Sequence, residues 1–485
     1  MTAKAGASSD TSLNWDQIDW KQVTGEVRRL QMRIAQAVLR KRWGKVKSLQ
    51  WLLTHSWSAR LLAVKRVTTS KGRNTPGVDG VIWRSSRQKI RAAAELRRHG
   101  YKPQPLRRVY IPKRDPRKKR PLSIPTMRDR AMQTLYLLSL LPVAETLADT
   151  NSYGFREYRS CADAIQQCFT CLSGHYSAEH ILEGDIKACF DMISHEWLLK
   201  NIPVDKVMLA KFLKAGYIEQ GKFFDTRDGT PQGGSISPVL ANMTLDGMER
   251  VIKQSVPRRS KVNFVRFADD FIVTAKSEEL LRNNIIPAIT SFLQERGLVL
   301  SSSKTVITNI KNGFDFLGQH IRKYRDNKVR ITPSRNSIKR MKENIRQTLK
   351  RARGWPAKNL ITAMNSRIRG WANYHRRIVA KKTFNKLDFF MDQSIWRWLR
   401  RHHPNKSRKW LVKKYWTVCG PSTFTATVKE KKGEKQVFRV YRLQKFSSTV
   451  IKRHVKIRGD TNPYNPADAN YLDTRRSKSC LRPTQ

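Results

Sequence analysis

Val262-Asn263-Phe264-Val265-Arg266-Phe267-Ala268-Asp269-Asp270-Phe271-Ile272-Val273-Thr274 sets two adjacent carboxylates between two apolar stretches. The alternation on both sides predicts β-strands with one buried face, so the stretch reads as a hairpin with Asp269 and Asp270 at its tip. Acids held rigidly at a sheet edge suit a divalent cation, which prefers oxygen ligands. Asp is also common in ordinary turns, and the pair alone does not decide the chemistry.

Outward from this hairpin the chain is strongly basic. Its 485 residues carry 96 Lys and Arg against 38 Asp and Glu, a formal net charge of +58. That excess predicts phosphate-backbone binding and strong salt sensitivity, with a large nucleic acid as the partner. Hydrophobic residues make up 39% of the chain, with 13 Trp, 18 Phe and 13 Tyr, which excludes a disordered basic tail and supports several packed domains. The six cysteines (Cys161, Cys168, Cys171, Cys189, Cys419 and Cys480) form no even framework. Cys168-x-x-Cys171 lacks the second pair a zinc site needs, so the thiols read as inert groups of a reducing compartment. The longest apolar stretch, Leu135 to Ala148, is interrupted by Pro142 and Glu145. No membrane span and no secretion signal are expected.

The texture changes along the chain. Trp15 to about Val67 shows helical spacing, as in Val27, Leu30, Ile34 and Val38, and the breaker cluster Gly72 to Gly80 closes that region. From Tyr101 to about Tyr324 helices alternate with short β stretches. Beyond Pro333 three amphipathic helices are expected, with stripes Ile338/Met341/Ile345/Leu349, Ile361/Met364/Ile368/Trp371 and Leu387/Phe390/Met391/Ile395/Trp398. Between 321 and 420 only Asp326, Glu343, Asp388 and Asp392 face 29 Lys and Arg, which predicts a helical bundle with a basic exterior, although long basic side chains also simply solvate helices. The remainder mixes β-like segments such as Val437 to Tyr441 with basic runs. The expected domains are 1–70, 71–325, 326–415 and 416–485.

A second acid lies upstream in Ile181-Leu182-Glu183-Gly184-Asp185-Ile186-Lys187-Ala188-Cys189-Phe190-Asp191, where a short apolar strand delivers Asp185 before a helix. Alone it could be a helix cap. Together with Asp269 and Asp270 it supplies what two-metal phosphoryl transfer requires, carboxylates from separate strands around two ions.

Four blocks in this order resemble those of group II intron reverse transcriptases: Asp185 to Asp191, Thr230-Pro231-Gln232-Gly233-Gly234-Ser235-Ile236-Ser237-Pro238, Phe267 to Asp270, and Gly313-Phe314-Asp315-Phe316-Leu317-Gly318. Thr75 to Gly80, Val109 to Lys113 with Arg120-Pro121-Leu122, and Arg369-Gly370-Trp371-Ala372-Asn373-Tyr374-His375 are similar to the family's N-terminal, fingers and thumb (maturase) motifs. Residues 15 to about 465 are covered, and Phe267 stands where many relatives have Tyr. The resemblance implies an α/β right-hand polymerase with fingers and palm, a helical N-terminal extension, an α-helical thumb (maturase) domain and a small basic C-terminal DNA-binding domain.

The resemblance also implies roles. Asp185, Asp269 and Asp270 are the catalytic acids, and Asp185, Asp269 and Ile186 form the metal site for two Mg²⁺ ions. Lys113 and Arg120 would grip the triphosphate, one as a point charge and one as a bidentate fork. Phe190 would lie under the sugar and exclude a 2′-hydroxyl, although aromatics are equally common in cores. Gln232 would contact the nucleotide, with Gly233 and Gly234 allowing close backbone approach. Ser237 reads as an N-cap with Pro238 at the first helical position. Gly318 and the thumb residues Arg369, Trp371 and Tyr374 would hold primer and RNA.

The function implied is that of a group II intron-encoded protein: an RNA-directed DNA polymerase for retrohoming by target-primed reverse transcription, and a maturase in splicing. Intron RNA in a ribonucleoprotein, target DNA and dNTPs are the expected partners, without a membrane, in the bacterial cytoplasm at the nucleoid. Asn462-Pro463-Tyr464-Asn465-Pro466 resembles the leader to the nuclease many relatives carry, and no His-rich nuclease core follows, so no endonuclease is expected. Two alternatives share parts of the pattern: a splicing-only maturase, against which the three acids argue, and a domesticated reverse transcriptase, against which the Arg369 to His375 motif argues.

Overall fold

The strands Asn263–Phe267 and Asp270–Ala275 pair antiparallel with Phe267 opposite Asp270, so Ala268 and Asp269 form a two-residue turn. In this computed structural model, which describes residues 14–112, 119–417, 423–432 and 435–479, the predicted hairpin lies in a four-stranded sheet ordered Asn263–Phe267, Asp270–Ala275, His180–Asp185, Val306–Asn309. One expectation changes. Alternation predicts a single buried face, yet Phe264, Val265 and Arg266 are buried in succession, as are Phe271 to Ala275. Both faces of the sheet are covered, as in sheets packed between layers, and a charged residue is consequently enclosed.

The chain divides into two compact units, the first within 1–164, 182–307 and 457–485, the second within 165–181 and 308–456. In the first, the helices Trp20–Leu39, Trp43–His55 and Trp57–Thr69 form the expected N-terminal region. Asp19 and Ser56 cap the first and third with their side-chain oxygens, satisfying amides the helix leaves open. The helix Met127–Leu147 is buried on nearly every side and contains Pro142. It takes up the long apolar stretch as a core helix. No helix of the described residues is long and apolar enough to cross a membrane. A second sheet runs Lys119–Ile124, Leu106–Pro112, Tyr217–Glu219, Lys222–Phe224. The helix Ser237–Leu245 begins one residue earlier than the capping pattern suggests: Ile236 is already in the right-handed helical region, so Ser237 is a first-turn residue, not the cap, and its side chain makes no capping bond.

The second unit carries a three-stranded sheet, Phe314–Phe316, Gln319–Lys323 and Val329–Pro333. Leu317 and Gly318, both at positive φ (49° and 74°), make the turn of its first hairpin, the geometry favoured by two-residue hairpins. The three predicted helices are Arg335–Arg351, Ala357–His375 and Lys381–His402, and a fourth, Arg408–Tyr415, follows. Met341, Ile345, Ile361, Met364, Ile368, Leu387, Met391 and Ile395 are each at most 3% exposed, so the predicted stripes form the bundle core. Asp388, one of the few acids here, accepts the backbone amides of Phe446 (2.6 Å) and Ser447 (2.9 Å).

Composition groups 416–485 together, but residues from 457 onward belong to the first unit. Tyr464 is 1% exposed beneath the guanidinium of Arg28, and Asn462 Nδ2 donates to Thr146 Oγ1 at 2.9 Å. Ile457 N donates to Asp163 Oδ1 at 2.8 Å, which Arg475 also meets at 2.7 Å. The segment Asn462 to Pro466 is thus packed against the first unit, and part of the expected polar tail, Ala469–Ser479, is helical. Cys161, Cys168, Cys171 and Cys189 form no disulfide among the described residues; Cys419 and Cys480 lie outside the described residues.

Candidate active site

Asp185 ends its strand next to the strand that begins at Asp270, and this adjacency brings two acids from distant sequence together. Its carbonyl accepts the Ser301 amide at 2.8 Å, and Lys304 Nζ meets its carboxylate at 2.8 Å. Asp269 occupies the hairpin turn, half-buried. Burial raises its carboxyl above the usual carboxylate range; its own backbone amide, Arg120 and Lys304 pull it down, while the negative Asp185 pushes it further up. Those influences place Asp185, Arg120 and Lys304 within electrostatic reach of Asp269. Cys189 lies in the same field: burial pushes its thiol up to about 12, and Asp269, Asp191 and Asp185 add to the rise. It is an inert neighbour, not a nucleophile.

Two hard carboxylates within electrostatic reach of each other, with Arg120 and Lys304 as counter-charge, fit a divalent ion. Ile186, 2% exposed, can offer such an ion only its backbone carbonyl. Asp270 begins its strand exposed. Among the described residues no group of three or more His, Cys, Asp or Glu side chains is drawn together as a metal cluster.

The nucleotide-binding candidates border this site. Arg120 stands exposed opposite Ile111 in the fingers hairpin, while Lys113 lies outside the described residues. Phe190 and Gln232 line a cleft of about 340 Å³ together with Arg108, Tyr110 and Asp191. Gln232 Nε2 donates to both Asp191 carboxylate oxygens at 3.3 Å, and its carbonyl accepts the Ser123 amide at 2.8 Å. Gly233 sits at φ 127° with a Cβ position only 2.5 Å from the Ser123 carbonyl oxygen, so only glycine lets the loop press against the strand.

The four primer and RNA candidates fall in the second unit. Gly318 forms the hairpin turn described above, and Tyr374 donates its hydroxyl to the Leu317 carbonyl at 2.6 Å. Arg369 is exposed and bonds the Asn365 carbonyl. Trp371 donates to Ser337 Oγ at 3.1 Å and meets the buried rings of Phe384 and Phe446 edge-on, so its indole packs the bundle. Sequence reasoning overlooked Lys304 and Arg266. A Lys and an Arg in a chain with 96 such residues carry no local signal of their partners.

Three family models match in chain order: the N-terminal domain of reverse transcriptase over residues 15–96, reverse transcriptase (RNA-dependent DNA polymerase) over 111–321, and the group II intron maturase-specific domain over 338–416. Protein YkfC of Escherichia coli (strain K12) is 31% identical over 323 residues, covering 57% of this chain and 83% of that protein. Group II intron-encoded protein LtrA of Lactococcus lactis subsp. cremoris is 28% identical over 424 residues, covering 68% of this chain and 70% of that one. The chain belongs to the group II intron-encoded reverse transcriptase/maturase family. The converging acids therefore lie in its reverse transcriptase domain, and the basic helical bundle in its maturase-specific domain. Among solved structures, Candida albicans telomerase in complex with a fragment of telomeric RNA aligns with a TM-score of 0.37 and 14% identity, over 62% of this chain and 59% of that one.

Proposed function

We propose that this protein is the RNA-directed DNA polymerase of a mobile group II intron: it binds its intron RNA, assists splicing, and copies the RNA into DNA from a 3′-hydroxyl primer on target DNA in the bacterial cytoplasm. One observation carries this reading: Asp185 and Asp269 converge from neighbouring elements of one sheet with Arg120 and Lys304 in reach. Two Mg²⁺ ions held by Asp185, Asp269 and the Ile186 carbonyl, with Asp270 at the periphery, would activate the attacking hydroxyl and stabilise the leaving pyrophosphate. The chain's own residues would do the rest. Arg120 presents a planar fork to the triphosphate, a task Lys113 would share as a point charge. Phe190 offers a flat ring to the sugar, and Gln232, steadied by Asp191, orients the nucleotide. Gly318, Arg369 and Tyr374 would serve primer and RNA, Trp371 by shaping the bundle that presents them.

The test is primer extension on an RNA template with dNTPs and Mg²⁺, with intron RNA binding followed in parallel. Asp269→Ala is expected to lower synthesis at least a thousandfold, of the order seen when a unit of catalytic residues is broken, with RNA affinity kept within twofold. Tight RNA binding without synthesis by the wild type would leave a splicing-only maturase as the function.

A further inference from the structure

Arg266 is 0% exposed and among the largest fully buried side chains. Its guanidinium forks behind the catalytic turn. Nη2 meets Asp246 Oδ1 at 2.5 Å, while Nη1 donates to Asn242 Oδ1 at 3.2 Å and to the Ala268 carbonyl at 3.4 Å. Asn242 in turn donates from Nδ2 to the Gly154 carbonyl at 2.8 Å. Gly154 lies against the same turn: a Cβ there would stand 2.4 Å from the Ala268 nitrogen. The Arg266 main chain completes the clamp, donating to the Asn151 carbonyl at 3.0 Å and accepting from the Tyr153 amide at 2.9 Å.

The peptide so gripped carries Asp269. Ala268 is left-handed at φ 59°, a conformation that a residue with a Cβ keeps only where its surroundings hold it. A buried ion pair is a poor way to gain stability, since its desolvation cost rivals its attraction and an apolar replacement often does as well. Here burial pushes the Asp246 carboxyl up to about 7 against the pull of Arg266. What the guanidinium supplies and an apolar side chain cannot is directional donation to three oxygens at once.

We propose that Arg266 is a positioning residue for the polymerase: with Asn242 it fixes the Ala268 peptide, and thereby the angle at which the Asp269 carboxylate meets Asp185. This rests on the polymerase reading for its kinetic consequence only, because cation binding at the two acids is measurable without synthesis.

The experiment uses the full chain and Mn²⁺ alone as the probe, read by electron paramagnetic resonance, alongside primer extension, intron RNA binding and thermal melting. Arg266→Lys, Asn242→Ala and the control Ile252→Ala, a buried core residue remote from the turn in sequence, are compared with wild type. Arg266→Lys is expected to weaken Mn²⁺ binding about ten- to hundredfold, as losing an outer-shell partner does, and to lower kcat by a similar factor with dNTP KM and RNA affinity within twofold. Ile252→Ala lowers the melting temperature without either change. Unchanged Mn²⁺ binding in a folded Arg266→Lys, a wild type that binds no Mn²⁺ at Asp269, or an equal loss in Ile252→Ala overturns the proposal. Should Arg266→Lys not fold, Asn242→Ala decides it by the same criteria, since that variant keeps the Arg266–Asp246 pair. A wild type that binds Mn²⁺ at Asp269 yet makes no DNA sinks the polymerase reading instead, and the Mn²⁺ shift still decides the positioning role.

Discussion

Phe190 sits one residue after the buried Cys189, and its ring meets that of Phe155 edge-on with centroids 6.3 Å apart. It is half-buried and borders the cleft shared with Gln232, so it is neither an ordinary core residue nor a free surface aromatic. A flat ring at this place can exclude a hydroxyl by volume alone, and steric rejection of that kind is worth roughly ten- to two-hundredfold. Phe190→Ala is therefore expected to reduce discrimination between dNTP and rNTP by at least about tenfold while dNTP incorporation persists. Single-nucleotide incorporation assays with each substrate would measure it, and unchanged discrimination would assign the ring to packing.

At the scale of an element, the thumb helix Ala357–His375 shows how burial writes a pH response into the fold. His375 is 0% exposed, its Nε2 lies 3.1 Å from Ser337 Oγ, and burial pushes its pKa down from 6.5 to about 4. The unfolded chain binds this proton near pH 6.5 and the folded one only near 4, so in that window the unfolded state holds more protons and stability falls as pH falls. The loss approaches the order of 3 kcal/mol below pH 4. Unfolding measured at pH 7 and pH 5 is expected to show a smaller loss for His375→Gln than for wild type; equal losses would refute the assignment. The same helices explain what was legible. Met341, Ile345, Ile361 and Met364 repeat with the helical period, and the hairpin around Asp269 reveals itself by the acids between two apolar runs. Arg266, Lys304 and Tyr464 were not legible, because their meaning lies in partners beyond any local pattern: Asp246 20 residues away, Asp185 119 residues away, and Arg28 435 residues from Pro463, the neighbour of Tyr464. Local pattern records periodicity and turns but not which charge is enclosed by which.

Over the whole molecule, the net charge of +58 is carried mainly at the surface, because among the described residues only Arg130, Arg156, Arg266 and Lys323 are buried, two of them against acids, Arg156 with Glu145 at 2.9 Å and Arg266 with Asp246. The stretch 321–420, with 29 Lys and Arg against four acids, is thus a largely basic surface whose field the few internal pairs, such as Arg330–Asp326 and Lys358–Glu430, leave mostly uncancelled. An RNA that covers it displaces counterions, and the gain from releasing them shrinks as bulk salt rises. Six to ten phosphate contacts would lower the affinity about 10³- to 10⁵-fold between 50 and 200 mM salt. Intron RNA binding is accordingly expected to fall by at least about a thousandfold over that range, with the same slope for Asp269→Ala, whose change removes no cation. Removing basic side chains from the outward face, as in Arg369→Gln with Arg367→Gln, should flatten the slope by roughly one phosphate each. Filter-binding titrations across salt concentrations measure both quantities, and a slope indifferent to these arginines would place the RNA on another face of the protein.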